Sequence, residues 1–470
     1  MITLADILQA LTGQRPPTAS LPICEAEIDS RQIIPGAMFV ALCGERTDGH
    51  DHVAEAFGRG ASLALVQRHP EGNFPILDLR QRTPPQEYKL PDIPFCIMVH
   101  DTLQALQTIA RFWRRQLNTE VIGITGSVGK STSKELIAEV ISQRYRTIKS
   151  PGNRNNEIGL PLSVLSIGRG HQRAVLEMGF YVPGEIAFLC DIALPKIGVI
   201  TNISPVHAER AGSIEAIAQG KAELVQALPK DGVAILNYDD PLVKAMAEKT
   251  QARVFFYGLD PSSDLWADEI ESKGLKGITL KLHHKGEDFI LRAPLIGHHS
   301  VHTILRAVAV GLIEGLSLQE IAKGIQQGRN QLRMVAIQTA RGALIIDDSY
   351  NASPDSTIAA LNLLADMKGR KIAVLGDMLE LGPYEKEGHE KVGLRAAEVC
   401  DALIAIGERS KITAHAAQQA GLSSTAVTWM ENVAQAIEFL KPRLQKGDTV
   451  LVKGSLGMKM SPIVAALEEA

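Results

Sequence analysis

The chain has 470 residues, about three times a typical domain of roughly 150, so two or three domains are expected, each long enough to bury a core. Its 49 basic and 53 acidic residues leave a formal charge of −4, which excludes the basic footprint of a nucleic-acid binder. No run approaches the roughly 20 apolar residues of a membrane span. Five scattered cysteines with no C-x-x-C pair argue against a zinc or dithiol site and for a reducing cytoplasm.

In chain order, Met1 to Gln14 spaces apolar residues at helical intervals and lacks the basic start and apolar centre of a signal peptide. A small α/β segment follows, up to the proline-rich stretch Gln81 to Pro94. That stretch reads as a linker, because proline can neither donate to a sheet ladder nor sit inside a helix. Beyond it, short β-branched runs alternate with helical patterns: Val121 to Thr125, Ala174 to Met178, Ile197 to Ile203, Val233 to Asn237, then Ala343 to Asp347, Lys371 to Leu375, Ala402 to Ile406 and Thr449 to Lys453. The alternation predicts mainly parallel sheets covered by helices. From about Val254 to Leu295 a period of two dominates and predicts an antiparallel insertion. Gly328-Arg329-Asn330 then opens a new strand-rich series. The expected units are therefore 1–95, 96–329 and 330–470.

The strongest local signal is Gly123-Ile124-Thr125-Gly126-Ser127-Val128-Gly129-Lys130-Ser131-Thr132, set between a strand pattern and a helix pattern. A phosphate-binding loop needs that context, because its backbone N–H groups and the helix N-terminus must face the anion. Lys130 is then expected to reach the β- and γ-phosphates, and the Ser131 hydroxyl to sit on Mg²⁺. The loop departs from G-x-x-x-x-G-K-[ST] in placing Ile124 where the first glycine belongs. No N-K-x-D follows a later strand, so ATP is expected rather than GTP. Glu177 ends an apolar strand, the usual way to present an acid to a metal at a sheet edge. His207 lies in the loop after another strand, and Lys221 lies in a helical stretch where a lysine is ordinarily solvated.

Taken together, these motifs resemble the Mur ligase family of peptidoglycan synthesis across nearly the whole chain. The resemblance is carried by Asp29-Ser30-Arg31 and Asp48-Gly49-His50 in the first segment. In the second it is carried by the glycine loop, Asn153 to Pro161, Glu177-Met178-Gly179, His207 and Lys221-Ala222-Glu223. In the third it is carried by Asp347 to Ser356, Val374 to Gly382 and Val452 to Ser455. The third-segment motifs are similar to those of the branch that adds D-alanyl-D-alanine to UDP-MurNAc-tripeptide through an acyl phosphate. A related ligase with a different acceptor is the alternative.

The resemblance implies an α/β fold of three domains: a small UDP-sugar-binding domain, a central P-loop-type ATPase domain and a C-terminal Rossmann-like domain. It implies ATP contacts from Gly126, Ser127, Gly129, Lys130, Ser131, Thr132, Arg333, Asp347, Asp348 and Asn351, with two Mg²⁺ ions held by Ser131, Glu177, His207 and Lys221. Lys221 matches the family lysine that CO₂ converts to a carbamate. Ser30, Arg31, Asp48, Asn155 and Asn156 are the implied substrate contacts, and a cytoplasmic monomer is the implied state. The family pattern places two asparagines at an adenine-contacting helix start, and this chain has Ser300 and Thr303 there.

Overall fold

The computed structural model describes residues 1–44, 47–80, 90–206, 208–328 and 335–468. Three α/β units succeed one another, each built on its own sheet. The first sheet has five strands, in the spatial order Ala26–Glu27, Met38–Val40, Leu63–Val66, Phe95–Met98 and Ile76–Asp78, all paired in parallel. Phe95–Met98 thus returns between two earlier strands. The proline-rich stretch read as an interdomain linker connects neighbouring strands of one sheet, although 81–89 lie outside the described residues. The N-terminal helix Leu4–Thr12 forms as its spacing predicts, with Thr3 and Asp6 closing a capping box.

The second sheet has nine strands, in the order Glu287–Ala293, Ile278–His284, Leu265–Ser272, Arg253–Gly258, Val233–Asn237, Ile197–Ile200, Glu120–Thr125, Arg173–Glu177 and Thr147–Lys149. The expectation of an antiparallel insertion from 254 to 295 holds only in part. Arg253–Gly258 pairs in parallel with Val233–Asn237, and Leu265–Ser272 continues in parallel, so only the last two pairings are antiparallel. All of them extend the same sheet. Period two marks a strand with two unlike faces and carries no information about its partner's direction.

The third sheet runs Val335–Gln338, Leu344–Asp348, Thr449–Lys453, Lys371–Gly376, Ala402–Ile406 and Val427–Met430, parallel except for its first pair. Helices cover both faces of the central sheet. One face packs against Gly159–Leu165, Glu185–Ala193 and Ile214–Gln226, and the other against Lys130–Ile141, Ser300–Ile313 and Leu318–Gln327. The helix Thr102–Arg115 joins the first two units. Its Trp113 is fully buried, and Nε1 donates to Ile167 O at 2.8 Å, so one apolar core runs from Ile7 to Leu176.

Candidate active site

Glu120–Thr125 is buried on both faces in the middle of the central sheet and delivers the chain at its C-terminal end into the glycine loop. That edge is where open parallel sheets bind ligands. Gly126 has φ +143°, and a Cβ there would lie 1.8 Å from Thr201 Oγ1, so no larger residue fits. The loop's shape is fixed by the end of the neighbouring strand. Ser127 N donates to Asn202 O at 2.8 Å, Val128 N donates to Asn202 Oδ1 at 2.8 Å, and Ser127 Oγ donates to Ser204 O at 2.9 Å. Gly129, at φ +83°, caps the helix Lys130–Ile141 and brings no side chain to its first N–H groups, which leaves that end suited to an anion. Lys130 Nζ folds back onto Gly126 O at 2.7 Å and Ser127 O at 3.1 Å. Thr132 is half-buried on the first turn of the helix.

Three residues singled out from the sequence meet at the next strand end. Glu177 is buried, with Oε2 accepting from Ser131 Oγ at 2.6 Å and Oε1 from Asn155 Nδ2 at 2.8 Å. A hydroxyl and a carboxylate so placed are hard oxygen donors that fit Mg²⁺. Lys134, which the sequence reading missed, lies 3.9 Å from the same carboxylate and donates to Gly152 O at 2.8 Å. Its position one helical turn after Lys130, hence on the same helix face, was the available signal.

Lys221 sits on the helix Ile214–Gln226 with 1% of its surface exposed. Nζ donates to Gly126 O at 3.0 Å and lies 4.8 Å from the centre of the Phe180 ring. Burial, and then the positive charge of Lys130, pull its ammonium well below the ordinary lysine range. Two lysines therefore share the carbonyl of Gly126.

A buried network supports the loop from the other face of the sheet. Arg306, on the helix Ser300–Ile313, donates to Ser133 Oγ at 2.8 Å, Tyr257 OH at 3.2 Å and Thr303 Oγ1 at 2.9 Å. The Ser300 hydroxyl donates to Ile296 O at 2.8 Å. Both hydroxyls that replace the family asparagines are thus engaged within their own helix and its entry. His302 Nε2 pairs with Asp239 Oδ2 at 2.7 Å at the same end. Burial opposes ionisation of Asp239, but His302 and the Leu259 N–H outweigh it and hold the carboxyl below its usual value.

In the third unit, Asp348 ends a strand and accepts from Lys453 Nζ at 2.6 Å, and the same ammonium donates to Asn351 O at 2.9 Å. Asp347 instead accepts from Ser349 N at 3.0 Å, within its own turn. In the first unit, Ser30 Oγ donates to Glu55 at 2.7 Å and Arg31 pairs with Asp29 at 2.8 Å. Burial works against Asp48, but His50 and Arg68 hold its carboxyl far below the usual range. Asn156 Oδ1 accepts from Gly159 N at 2.9 Å. The first and second units meet at the Glu27 and Arg154 ion pair, 2.5 Å. His207 and Arg333 lie outside the described residues.

The chain matches three family models in sequence order: "Mur ligase family, catalytic domain" over 23–114, "Mur ligase middle domain" over 124–311 and "Mur ligase, glutamate ligase domain" over 332–456. It is 35% identical to the UDP-N-acetylmuramoyl-tripeptide–D-alanyl-D-alanine ligase of Bacillus subtilis, covering 94% of this chain and 92% of the relative. It is 32% identical to the enzyme of the same name from Escherichia coli, covering 100% and 98%. Among solved structures, MurF from Acinetobacter baumannii superposes with a TM-score of 0.84 at 30% identity over 100% of both chains. MurF from Thermotoga maritima, solved in complex with ADP, superposes with a TM-score of 0.76 at 26% identity over 98% of both. With all three units matched in order and over nearly the full length, the chain belongs to the Mur ligase family.

Proposed function

We propose that this chain is an ATP-dependent ligase that joins D-alanyl-D-alanine to the terminal carboxylate of UDP-N-acetylmuramoyl-tripeptide, completing the pentapeptide of the peptidoglycan precursor. The observation that carries this reading is that, at one edge of the central sheet, Lys130 and buried Lys221 share the carbonyl of Gly126 while Ser131, next to Lys130, is bonded to Glu177 at the neighbouring strand end. A carboxylate is a poor electrophile. The γ-phosphoryl of ATP must first be transferred to it, after which the dipeptide amine attacks the acyl phosphate and phosphate leaves.

The loop N–H groups and Lys130 hold the triphosphate in line with the carboxylate, so the rate gain comes from positioning and charge stabilisation. Ser131 and Glu177 would hold one Mg²⁺, and His207 with a carbamylated Lys221 would hold a second. When bound, these ions neutralise charge that builds on the transferring phosphoryl group. Lys221 fits a role as a carbamate: burial and the charge of Lys130 favour the neutral amine, and addition of CO₂ with loss of a proton would turn it into an anionic oxygen donor. Asp348, with Asp347 beside it, would take the ribose hydroxyls, and Asn351 and Arg333 would serve the phosphates. Ser30, Arg31, Asp48, Asn155 and Asn156 serve the UDP-sugar peptide. The expected boundary at 95 moves past the strand Phe95–Met98, which belongs to the first sheet; the working units are then the first, through that strand, for the sugar nucleotide, the second, up to 329, for ATP, and 330–470 for closure over the site. Closure excludes the water that would hydrolyse the acyl phosphate.

No helix among the described residues is long and apolar enough to cross a membrane. The five cysteines are all unpaired, as expected of a chain that folds in a reducing compartment. An acceptor screen tests the reading. Phosphate release in the presence of ATP and UDP-MurNAc-tripeptide should require D-alanyl-D-alanine. Equal release with unrelated amino acids, or with none, would refute it.

A further inference from the structure

The ion pair that joins the first and central units has no role above, yet both of its partners lead to a site. Glu27 ends the strand Ala26–Glu27 of the first sheet, and its side chain is 7% exposed. Oε1 accepts from the N–H groups of Ile28 at 2.9 Å and Asp29 at 3.4 Å, so this carboxylate holds the backbone that opens the Asp29-Ser30-Arg31 motif. Oε2 accepts from Arg154 Nη2 at 2.5 Å. One side chain therefore grips the turn of a sugar-nucleotide motif in one unit and a guanidinium in the next.

Arg154 belongs to a segment that ends on the Glu177 carboxylate. Its neighbour Asn155 donates from Nδ2 to Glu177 Oε1 at 2.8 Å, and Asn155 O accepts from Gly179 N at 2.7 Å. Two residues before it, Gly152 O accepts from the buried Lys134 at 2.8 Å. The backbone of Arg154 is also pressed against the start of the helix Gly159–Leu165, where a Cβ on Gly159 would lie 2.6 Å from Arg154 Cα. With Gly152 and Asn155 pinned and no space beside Gly159, a shift of Arg154 passes to Asn155 instead of being absorbed. Asn155 sets one oxygen of Glu177, and Ser131 sets the other.

We propose that Glu27 and Arg154 are positioning residues for Glu177: their ion pair fixes, from the first unit, the carboxylate offered to Mg²⁺ beside the nucleotide. This rests on the ligase reading above. A sugar-nucleotide ligand on the Asp29-Ser30-Arg31 loop and a nucleotide with Mg²⁺ at the Gly126 loop then strengthen each other's binding through this pair.

The test is calorimetric titration of ADP into the whole enzyme, with and without saturating UDP-MurNAc-tripeptide, in Mg²⁺ and again in EDTA. For wild type in Mg²⁺, the peptide should tighten ADP about fivefold or more, and in EDTA that ratio should fall to about one. In Arg154→Met and Glu27→Gln the ratio in Mg²⁺ should lie within about twofold of one. The variant carrying both substitutions removes the two charges and strands neither, so it should melt above Arg154→Met while showing the same lost ratio. A lowered Tm with the ratio intact would make the pair a fold contact only and overturn the positioning role, as would a wild-type ratio of one or a ratio that survives EDTA. A wild type that makes no pentapeptide overturns the ligase reading and this role with it. A competent wild type whose ratio is indifferent to both residues overturns the positioning role alone.

Discussion

The two halves of the central sheet use polar residues for opposite purposes. In the parallel half, the ends of Glu120–Thr125, Arg173–Glu177 and Ile197–Ile200 turn their polar groups toward a common point, where two lysines share one carbonyl and a carboxylate holds a hydroxyl. In the antiparallel half, polar groups satisfy one another. His283 stacks on Trp266 at 3.7 Å and bonds Asp268 at 2.8 Å and Asp288 at 2.7 Å, each from an adjacent strand. Parallel strands bring all their C-terminal ends to one edge, so side chains there can converge on a ligand. Antiparallel hairpins place partners directly opposite, so their side chains pair across the ladder. Substitutions in the first half should therefore cost activity, and those in the second should alter stability only.

The largest effect is expected at Gly126→Ala. Its Cβ would collide with Thr201, and kcat should fall on the order of 10²–10³-fold with ATP binding lost in calorimetry. A variant that binds ATP normally would break the claim that this loop holds the phosphates. Next, Lys221→Ala should lose roughly 10²-fold in kcat, with part of it restored by a short carboxylic acid or excess bicarbonate. A fully active alanine variant would remove the carbamate role.

A smaller effect is expected where the network only supports the loop. Thr303→Val strips Arg306 of one acceptor and should cost about 1–3 kcal/mol in denaturant unfolding. Ser300→Ala should change the KM for ATP by less than about twofold, since that hydroxyl serves Ile296 O. A large change would mean that Ser300 does read the base.

In the antiparallel half, burial lowers the His283 pKa, but its bonds to Asp268 and Asp288 outweigh burial and raise it above 6.5. The group binds its proton more tightly when folded. Its stabilisation is complete below about pH 6.5 and is lost as pH rises through the folded value. Denaturant midpoints measured across that window should fall for wild type more steeply than for His283→Gln, with kcat equal for the two proteins. Parallel pH profiles would show that the imidazolium contributes nothing.

The site was legible in the sequence where a backbone device fixes the residue type. Gly126 and Gly129 must be glycine, Lys130 and Ser131 follow at a set spacing, and an apolar strand delivers each piece. Lys134 and Arg306 were missed although each left a signal. A lysine among Ser133 and Glu135 looks solvated, and only the folding of the 150–154 segment over it creates its burial. Arg306 was the better signal, a single charge inside a helix that is apolar on every side and therefore certain to need partners. Asp239, from the turn after Val233–Asn237, and Tyr257, from the next strand, reach this region from more than 40 residues away, which no local pattern encodes. The same limit explains Phe95–Met98, whose composition reads as a strand but whose place between two earlier strands is a property of the sheet.

The most direct test of the account follows the oxygen atoms. UDP-MurNAc-tripeptide carrying ¹⁸O in its terminal carboxylate, incubated with ATP, D-alanyl-D-alanine and this enzyme, should yield inorganic phosphate containing one ¹⁸O per pentapeptide formed. Unlabelled phosphate alongside pentapeptide would contradict transfer of the γ-phosphoryl group to the carboxylate across the Gly126 loop.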